Sequence, residues 1–223
     1  MSTSGAGEEA RLTALVAAIR ACRICRDAPR GSPLPHEPRP VIHVTPTARI
    51  CLCGQAPGTR VHASGISFTD PSGDRLRVWM GVSWDEFYDT SRIAIAPMGF
   101  CFPGLDAHGS DLPPRRECAD AWRTKLFEAL PQFELIVLIG FYAQRWHLGA
   151  GALENMTATV RNWKTYAETD MGPLFVPLPH PSWRNSGWLK RNPWFETDVL
   201  PFLRGQVRRL LDEEKRPAGT SRA

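Results

Sequence analysis

The stretch RICLCGQAPG, residues 49–58, decides the fold that the sequence predicts. Its apolar run at 49–53 predicts a short buried strand, and the two glycines and the proline that follow predict a sharp turn. Similar apolar runs occur at 93–96, 135–140 and 174–178. Segments with helical periodicity separate them, which predicts an α/β fold with a mostly parallel sheet between helical layers.

The helices and loops around these strands are predicted from periodicity and punctuation. Helices are expected at 116–130, at 153–164 and after Asn192, the predicted N-cap of a last helix that kinks near Pro201. Residues 26–48 contain six prolines and predict a long ordered loop. Four apolar residues spaced i, i+3, i+4 and i+7 predict a first amphipathic helix: Leu12, Leu15, Val16 and Ile19.

Length and composition set the class of protein. The chain of 223 residues predicts a single domain over 8–213 with flexible ends at 1–7 and 214–223. An apolar fraction of 43% is ordinary for a globular protein and argues against disorder, and a net charge of +4 permits a polyanionic partner without demanding one. There is no apolar run of 18 residues and no export signal, so we expect a cytoplasmic protein without membrane contact. We also expect a monomer.

Two polar loops are expected to meet at one edge of the sheet. Residues 54–58 follow the first predicted strand, and PLPHPSWRN, residues 177–185, includes the end of the fourth. Ligands of open parallel sheets bind beyond the carboxyl ends of the strands, where the loops diverge. Both loops carry polar side chains, so this edge is the predicted binding site.

The six cysteines fall into two groups. Cys51 and Cys53 alternate along a predicted strand, and core packing accounts for both. The others form a C-x2-C pair after the first helix and two single cysteines with 16 residues between them. Four such thiolates can hold either a zinc ion or an iron-sulfur cluster. They are Cys22, Cys25, Cys101 and Cys118.

Together these motifs resemble the uracil-DNA glycosylase superfamily, in particular its iron-sulfur families 4 and 5. Those families carry a glycine-rich GEAPG motif, an early C-x2-C, a C-x-P-P segment with a later cysteine, and a motif that begins His-Pro. This chain has the counterparts in the same order, with GQAPG at 54–58, CFP at 101–103 and HPSWRN at 180–185. The resemblance extends from about residue 12 to residue 205.

The resemblance implies a three-layer α/β/α sandwich with a central four-stranded parallel sheet, and a structural [4Fe-4S] cluster on the four cysteines. It also implies a base-excision repair enzyme, a monofunctional DNA N-glycosylase that hydrolyses the bond to uracil or a related damaged base flipped out of DNA. The expected partner is single- or double-stranded DNA with a damaged base, and the expected location is the nucleoid.

Residue roles follow from the resemblance. His180 is expected to donate a hydrogen bond to the departing base, and Phe68 to stack on that base. The 54–58 turn is expected to supply backbone donors, with Gln55 holding a water molecule. Further candidates for substrate contact are Gly54, Ala56, Pro57, Gly58, Ser182 and Asn185.

The loop after His180 is suited to DNA. Trp183 is expected to wedge into the gap left by the flipped base, with a lid over the core as the other interpretation. Arg184, Lys190 and Arg191 are expected to contact phosphates, which predicts salt-sensitive binding.

Two departures from the family 4 pattern argue against strict specificity for uracil. Gln55 replaces a glutamate and cannot act as a base, and Pro97 stands where family 4 has an asparagine. Water activation is therefore open between a backbone carbonyl, Gln55 as an acceptor, and three ionisable side chains. These are His62, whose ordinary pKa suits a catalytic base, Asp70 and Asp74.

Two other functions are compatible with parts of the sequence. A DNA-binding iron-sulfur protein without catalysis is favoured by the same two departures. A small-molecule hydrolase would use Ser182 or Ser64 with a histidine base. The chain has no G-x-S-x-G motif, and this function leaves four cysteines unexplained, so the glycosylase is preferred.

Overall fold

The computed structural model describes residues 3–168 and 172–213, with side chains from residue 6 onward. Its centre is one sheet of four strands in the order β2-β1-β3-β4, and every neighbouring pair is parallel. The predicted four-stranded parallel sheet is confirmed. The strands are β1 (Ile50–Cys53), β2 (Ile93–Ile95), β3 (Leu135–Ile139) and β4 (Leu174–Leu178).

Helices precede, separate and follow the strands. The N-terminal part contains α1 (Thr3–Arg20), α2 (Ile24–Asp27), α3 (Thr59–Ser64), α4 (Pro71–Met80) and α5 (Trp84–Tyr88). The C-terminal part contains α6 (Arg116–Glu128), α7 (Phe141–Leu148), α8 (Met156–Arg161), α9 (Trp163–Ala167), α10 (Ser186–Arg191) and α11 (Leu200–Glu213). No helix in the described part of the chain combines the length and the apolar character needed to cross a bilayer.

Strand alternation divides the core into two layers, as a three-layer α/β/α sandwich requires. Ile50 and Leu52 of β1 pack in one cluster with residues of α4, α5 and α11. Cys51 and Cys53 point to the other cluster, which includes residues of α1, α6 and α7. Both thiols are fully buried, which confirms the prediction that these two cysteines are core residues.

The structure differs from the predicted helices in three places. The helix predicted at 153–164 is two short helices, because Asn155 caps α8 and a turn at Asn162 separates α8 from α9. A π-helical turn at Phe195–Val199 precedes α11, at the kink expected near Pro201, where proline lacks the N–H of a regular helical bond. Helix α1 begins at Thr3, inside the end expected to be flexible, while 214–223 lies outside the described residues.

The proline-rich segment lies along the edge of the sheet. After the short helix α2 it has no further helix or strand, and its end pairs with β2. The backbone N–H of His43 donates to Ile95 O at 3.0 Å, and Ile95 N–H donates to His43 O at 2.7 Å. Leu34 and Ile42 of the segment are buried. The loop therefore covers an edge strand that would otherwise expose unpaired backbone groups.

The backbone at Phe68 is strained and is held from three sides. Its φ of 59° makes it the one non-glycine with a positive φ among the described residues. Its carbonyl accepts hydrogen bonds from Arg77 Nη1 at 3.1 Å and Tyr88 Oη at 2.9 Å. Gly73 passes so close that a Cβ built there would stand 1.7 Å from Phe68 O. Such strain costs about 1–3 kcal/mol and persists only where surrounding contacts enforce it.

We expect Gly73→Ala to lower the free energy of unfolding by at least about 1–3 kcal/mol, because the new methyl group displaces Phe68 O. The matched control is Gly205→Ala in α11, where a Cβ meets nothing within 4 Å. There the same substitution is expected to stabilise by roughly 0.5–1 kcal/mol. Urea denaturation of both variants measures the difference, and equal midpoints for the two would contradict the packing described at Gly73.

Candidate active site

A cavity of about 290 Å³ opens at the carboxyl edge of the sheet. The chain leaves β1 toward β2 on one side and later returns to place β3 on the other side of β1. Ligands of open α/β sheets bind at this kind of reversal in strand order. Eight residues predicted for the site line the cavity: Gly54, Gln55, Ala56, Pro57, Gly58, Phe68, Asp70 and His180.

Phe68 and His180 reach this cavity from different parts of the fold. Phe68 precedes α4, and its ring edge lies 3.5 Å from the position of a Cβ built on Gly54. A second aromatic ring, Phe87, supports it edge-on at 6.0 Å between centroids. His180 follows β4 and stands beside Gly140, whose built Cβ would lie 3.9 Å from His180 Cβ. The structure therefore brings the two residues to one cavity.

Hydrogen bonds assign the tautomer of His180. The backbone N–H of Ser182 donates to His180 Nδ1 at 3.2 Å, so Nδ1 is an acceptor and Nε2 carries the proton of the neutral ring. Burial lowers the pKa of His180, and the Asp70 carboxylate opposes that effect only in part. His180 is therefore a neutral imidazole with an N–H donor at neutral pH.

The other predicted residues of the His180 loop hold the histidine and do not line the cavity. The Asn185 side-chain amide donates to His180 O at 2.7 Å. The Ser182 hydroxyl accepts from Arg184 N at 3.3 Å, which closes a tight turn. Arg75 of α4 donates to Ser182 O at 3.0 Å and ties the loop to the fold. These contacts fix the backbone of the loop and thereby the position of the His180 ring.

Two carboxylates line the cavity. Asp70 caps α4 and accepts from Gly73 N at 3.2 Å. Asp111, which the sequence analysis missed, stands at the mouth with Oδ2 3.2 Å from a Cβ built on Gly58. Partial burial raises the pKa of Asp111, and the Arg184 guanidinium opposes the shift. The pKa of the Asp111 carboxyl group therefore lies above the ordinary value of an aspartate.

Gln55, Asp74 and His62 differ in their access to the cavity. Gln55 lines it, and its amide nitrogen donates to Leu112 O at 3.3 Å, next to Asp111. Asp74 faces outward and pairs with Arg77 at 2.5 Å. His62 is outside the lining and lies against His36, with ring centroids 4.3 Å apart. Burial lowers the pKa of His62.

The residues predicted for DNA contact lie on the surface of the protein. Trp183 is 72% exposed, the largest value among the exposed large hydrophobic side chains of the described residues. Arg184 donates to Ser110 Oγ at 3.2 Å, so it bridges the His180 loop and the loop of Asp111. Lys190 and Arg191 are exposed at the end of α10. The exposure of Trp183 does not fit a lid over the core.

The four cysteines of the predicted metal site line one small space beneath the proline-rich loop. The Trp122 indole N–H donates to Cys22 Sγ at 3.2 Å, and Phe100 N–H donates to Cys118 Sγ at 3.4 Å. Such N–H···S bonds are among the contacts that tune thiolate ligands. In the described part of the chain, no three metal-binding side chains are grouped so as to surround a single ion.

The thiols of this group are strongly desolvated. Burial is the largest cause that raises the pKa of Cys25 to about 11, and of Cys101 and Cys118 to about 12 each. Repulsion between the neighbouring sulfurs adds to all three. The donor set is thus four cysteines, two of which accept N–H···S hydrogen bonds, and thiolates are the soft ligands that iron-sulfur clusters and zinc use.

A buried arginine supports the floor of the cavity. Arg123 of α6 is 1% exposed and donates to Ala96 O at 3.1 Å and Pro97 O at 2.9 Å. Its second nitrogen contacts His147 Nε2 at 2.5 Å. The guanidinium therefore holds the backbone that follows β2, where Pro97 lines the cavity. The sequence carries no signal that this arginine is buried.

Comparison with known families agrees with this geometry. The sequence model of the Uracil DNA glycosylase superfamily matches residues 42–204, well over half of the chain. The match contains the whole cavity together with Cys101 and Cys118, whereas Cys22 and Cys25 precede it. It supports a DNA glycosylase-type function and DNA binding, while the iron-sulfur subtype stays a prediction. By its fold, its cavity and this match, the chain belongs to the uracil DNA glycosylase superfamily.

Proposed function

We propose that the protein is a monofunctional DNA N-glycosylase of base-excision repair, which hydrolyses the bond to uracil or a related damaged base flipped out of DNA. The observation that carries the proposal is the hydrogen bond from Ser182 N to His180 Nδ1, which leaves the Nε2–H as a donor in a cavity shared with Phe68. A flat base stacked on Phe68 and bonded by His180 fits the closed pocket that base-flipping enzymes need.

In the proposed reaction the C1′–N bond breaks and its electron pair leaves with the base. The base becomes an anion and the sugar becomes oxocarbenium-like, so a fixed donor beside the base carbonyl stabilises the departing charge. A neutral imidazole is suited to this task, because its Nε2–H can donate a hydrogen bond to the developing anion even though the ring carries no charge. Water then adds to C1′ and gives up one proton to a base in the cavity, and the departing base anion takes up a proton, so the products are the free base and an abasic site.

We assign the activation of this water to Asp111. It lines the cavity, its raised pKa makes it a stronger base than an ordinary aspartate, and no α-helix cap occupies its oxygens. Asp70 also lines the cavity but caps α4. Gln55, which contacts Leu112 O, is proposed to hold the water as an acceptor. His62 lies outside the cavity lining and receives no role in this step.

Ser182 and Asn185 are proposed as positioning residues, because their contacts are to the histidine and its turn. Trp183 is proposed to enter the gap left by the flipped base, with Arg184, Lys190 and Arg191 near the phosphates. We further propose that the protein acts as a monomer on DNA at the nucleoid.

We also propose that Cys22, Cys25, Cys101 and Cys118 hold a structural [4Fe-4S] cluster. Their common space and the N–H···S bonds to Cys22 and Cys118 support the assignment. When bound, such a group would link the end of α1 to the loop after β2. The cysteines take no part in the proposed reaction.

We expect His180→Ala to lower single-turnover base release from uracil-containing DNA roughly 100- to 1,000-fold, because it removes the donor to the departing base. The matched control is His108→Ala, in an exposed loop where only the backbone of His108 contacts Asp106. Both variants are compared with wild type on single- and double-stranded substrates, with folding checked by circular dichroism. A wild-type protein that binds DNA but releases no damaged base supports the non-catalytic alternative.

Asp111→Asn is expected to lower base release roughly 100- to 10,000-fold and to flatten its pH dependence. The wild-type rate should rise with pH through the raised pKa of Asp111, because only the ionised carboxylate accepts the proton of water. The control is Asp70→Asn, which keeps a side-chain oxygen to cap α4. If the rate of Asp111→Asn still falls at low pH as the wild-type rate does, another group activates the water.

Purified protein is expected to contain iron and acid-labile sulfide and to absorb broadly in the blue. Cys118→Ala should lose these signals and become insoluble or unfolded, since the binding energy of a structural metal centre is folding energy. The control is Cys51→Ala, a buried core cysteine outside the group, which should keep the iron. Zinc in place of iron, or a soluble and fully active Cys118→Ala protein without metal, would overturn the assignment.

A further inference from the structure

A second depression lies next to the base cavity and has no role in the reaction proposed above. Its volume is about 450 Å³, and it lies between the start of α6, the start of α7 and the two prolines at 113–114. We call it the aromatic groove. The residues that define it here are Phe141, Tyr142, Trp146, Arg116 and Arg145.

The groove exposes three large aromatic rings. Phe141, Tyr142 and Trp146 are 45%, 36% and 38% exposed. Tyr142, Arg145 and Trp146 are spaced i, i+3 and i+4, which places them on one face of α7, while Ala143 is buried with the opposite face. Three exposed rings at one place mark a binding surface more often than isolated exposed residues do.

The groove carries positive charge that ion pairs within the described part of the chain do not neutralise. Arg116 and Arg145 are exposed, and no described carboxylate forms an ion pair with either. The one carboxylate in the lining, Asp120, is already paired with Arg30 at 2.6 Å. Two unpaired guanidinium groups beside three rings match a ligand that has both flat bases and anionic groups.

The groove and the base cavity share a wall. Pro97 lines the cavity and the next residue, Met98, lines the groove. A Cβ built on Gly99 would lie 3.3 Å from Pro114 of the groove and 3.6 Å from Ala56 of the cavity. On the other side, Gly140 stands beside His180 and is followed by Phe141. The groove is therefore adjacent to the cavity in which a flipped nucleotide would lie.

One of the rings is held rigidly from behind. The Arg123 guanidinium lies 5.1 Å from the Trp146 ring centroid, and His147 and Phe127 pack against the same ring at 4.7 and 6.3 Å. A ring that is fixed before binding loses little entropy when a base stacks on it. Bases in a duplex are already stacked and paired, so this surface suits an unpaired base.

We propose that the aromatic groove binds an unpaired base of the DNA strand that carries the flipped nucleotide, with the adjacent phosphates on Arg116 and Arg145. The choice of DNA rests on the proposed glycosylase function. The consequence is a preference for single-stranded or locally open DNA, at a site separate from the base cavity and from the loop of Trp183.

The test uses undamaged DNA, so that it does not depend on base release. Fluorescence anisotropy would measure binding of the full chain to a dye-labelled oligothymidylate strand, alone and annealed to its complement. The double variant Phe141→Ala/Tyr142→Ala is expected to bind the single strand roughly 5- to 100-fold more weakly and the duplex within about 2-fold of wild type. Tyr142→Phe, which keeps the ring, should bind both as wild type does.

The arginine is tested through the salt dependence of binding. For the single strand, Arg145→Ala should make the plot of log affinity against log salt concentration less steep, by about the amount expected for the loss of one phosphate contact. Arg11→Ala removes the same charge from α1 and should leave the slope unchanged. Melting curves establish that each variant is folded.

Two results would overturn the proposal. Unchanged single-strand affinity in the double variant would mean that no base stacks there, and an equal loss for the duplex would mean a general phosphate-binding face. Base release by wild-type protein from a uracil-containing strand is measured in parallel. Its absence would count against the proposed reaction, whereas the binding results would still decide the role of the groove.

Discussion

The candidate site depends on the carbonyl of Phe68, which is held in a strained backbone conformation. Arg77 and Tyr88 donate to this oxygen, and only a glycine at 73 allows the helix to pass it. These contacts commit the first turn of α4 to one position. The ring is thereby turned to the cavity, and the strain of about 1–3 kcal/mol is offset by packing elsewhere. The fold therefore fixes the Phe68 ring, on which a base would stack, before any ligand binds.

His180 belongs to a second part of the cavity lining. His180 is oriented by the backbone of Ser182 and by the amide of Asn185, and Arg75 of α4 ties that turn to the helix that also fixes Phe68. One helix therefore supports both parts of the lining. This common support keeps the spacing between a stacking ring and a hydrogen-bond donor, which matters because a donor stabilises developing charge only within hydrogen-bond distance.

The sequence predicted the layers and the strands well, because buried parallel strands are short apolar runs whatever their neighbours are. It also predicted that residues 54–58 and His180 meet, since parallel strands place their carboxyl ends at one edge. It could not predict Asp111 in the cavity, because that contact depends on how a long loop folds back on Gly58. Arg123 was equally hidden, since its partners are backbone carbonyls, which leave no pattern in the sequence.

The five residues from 97 to 101 connect every site described above. Pro97 lines the base cavity, Met98 lines the aromatic groove, and Cys101 lines the space of the four cysteines. Between them, Gly99 packs close to the side chains of Pro114 and Ala56, and Phe100 N–H donates to the sulfur of Cys118. In such a short segment, a displacement of one end also displaces the other end. A metal centre bound by the cysteines would therefore hold the floor of the cavity without contacting the substrate. Loss of such a centre would lower activity by displacing Pro97, although the centre takes no part in the reaction.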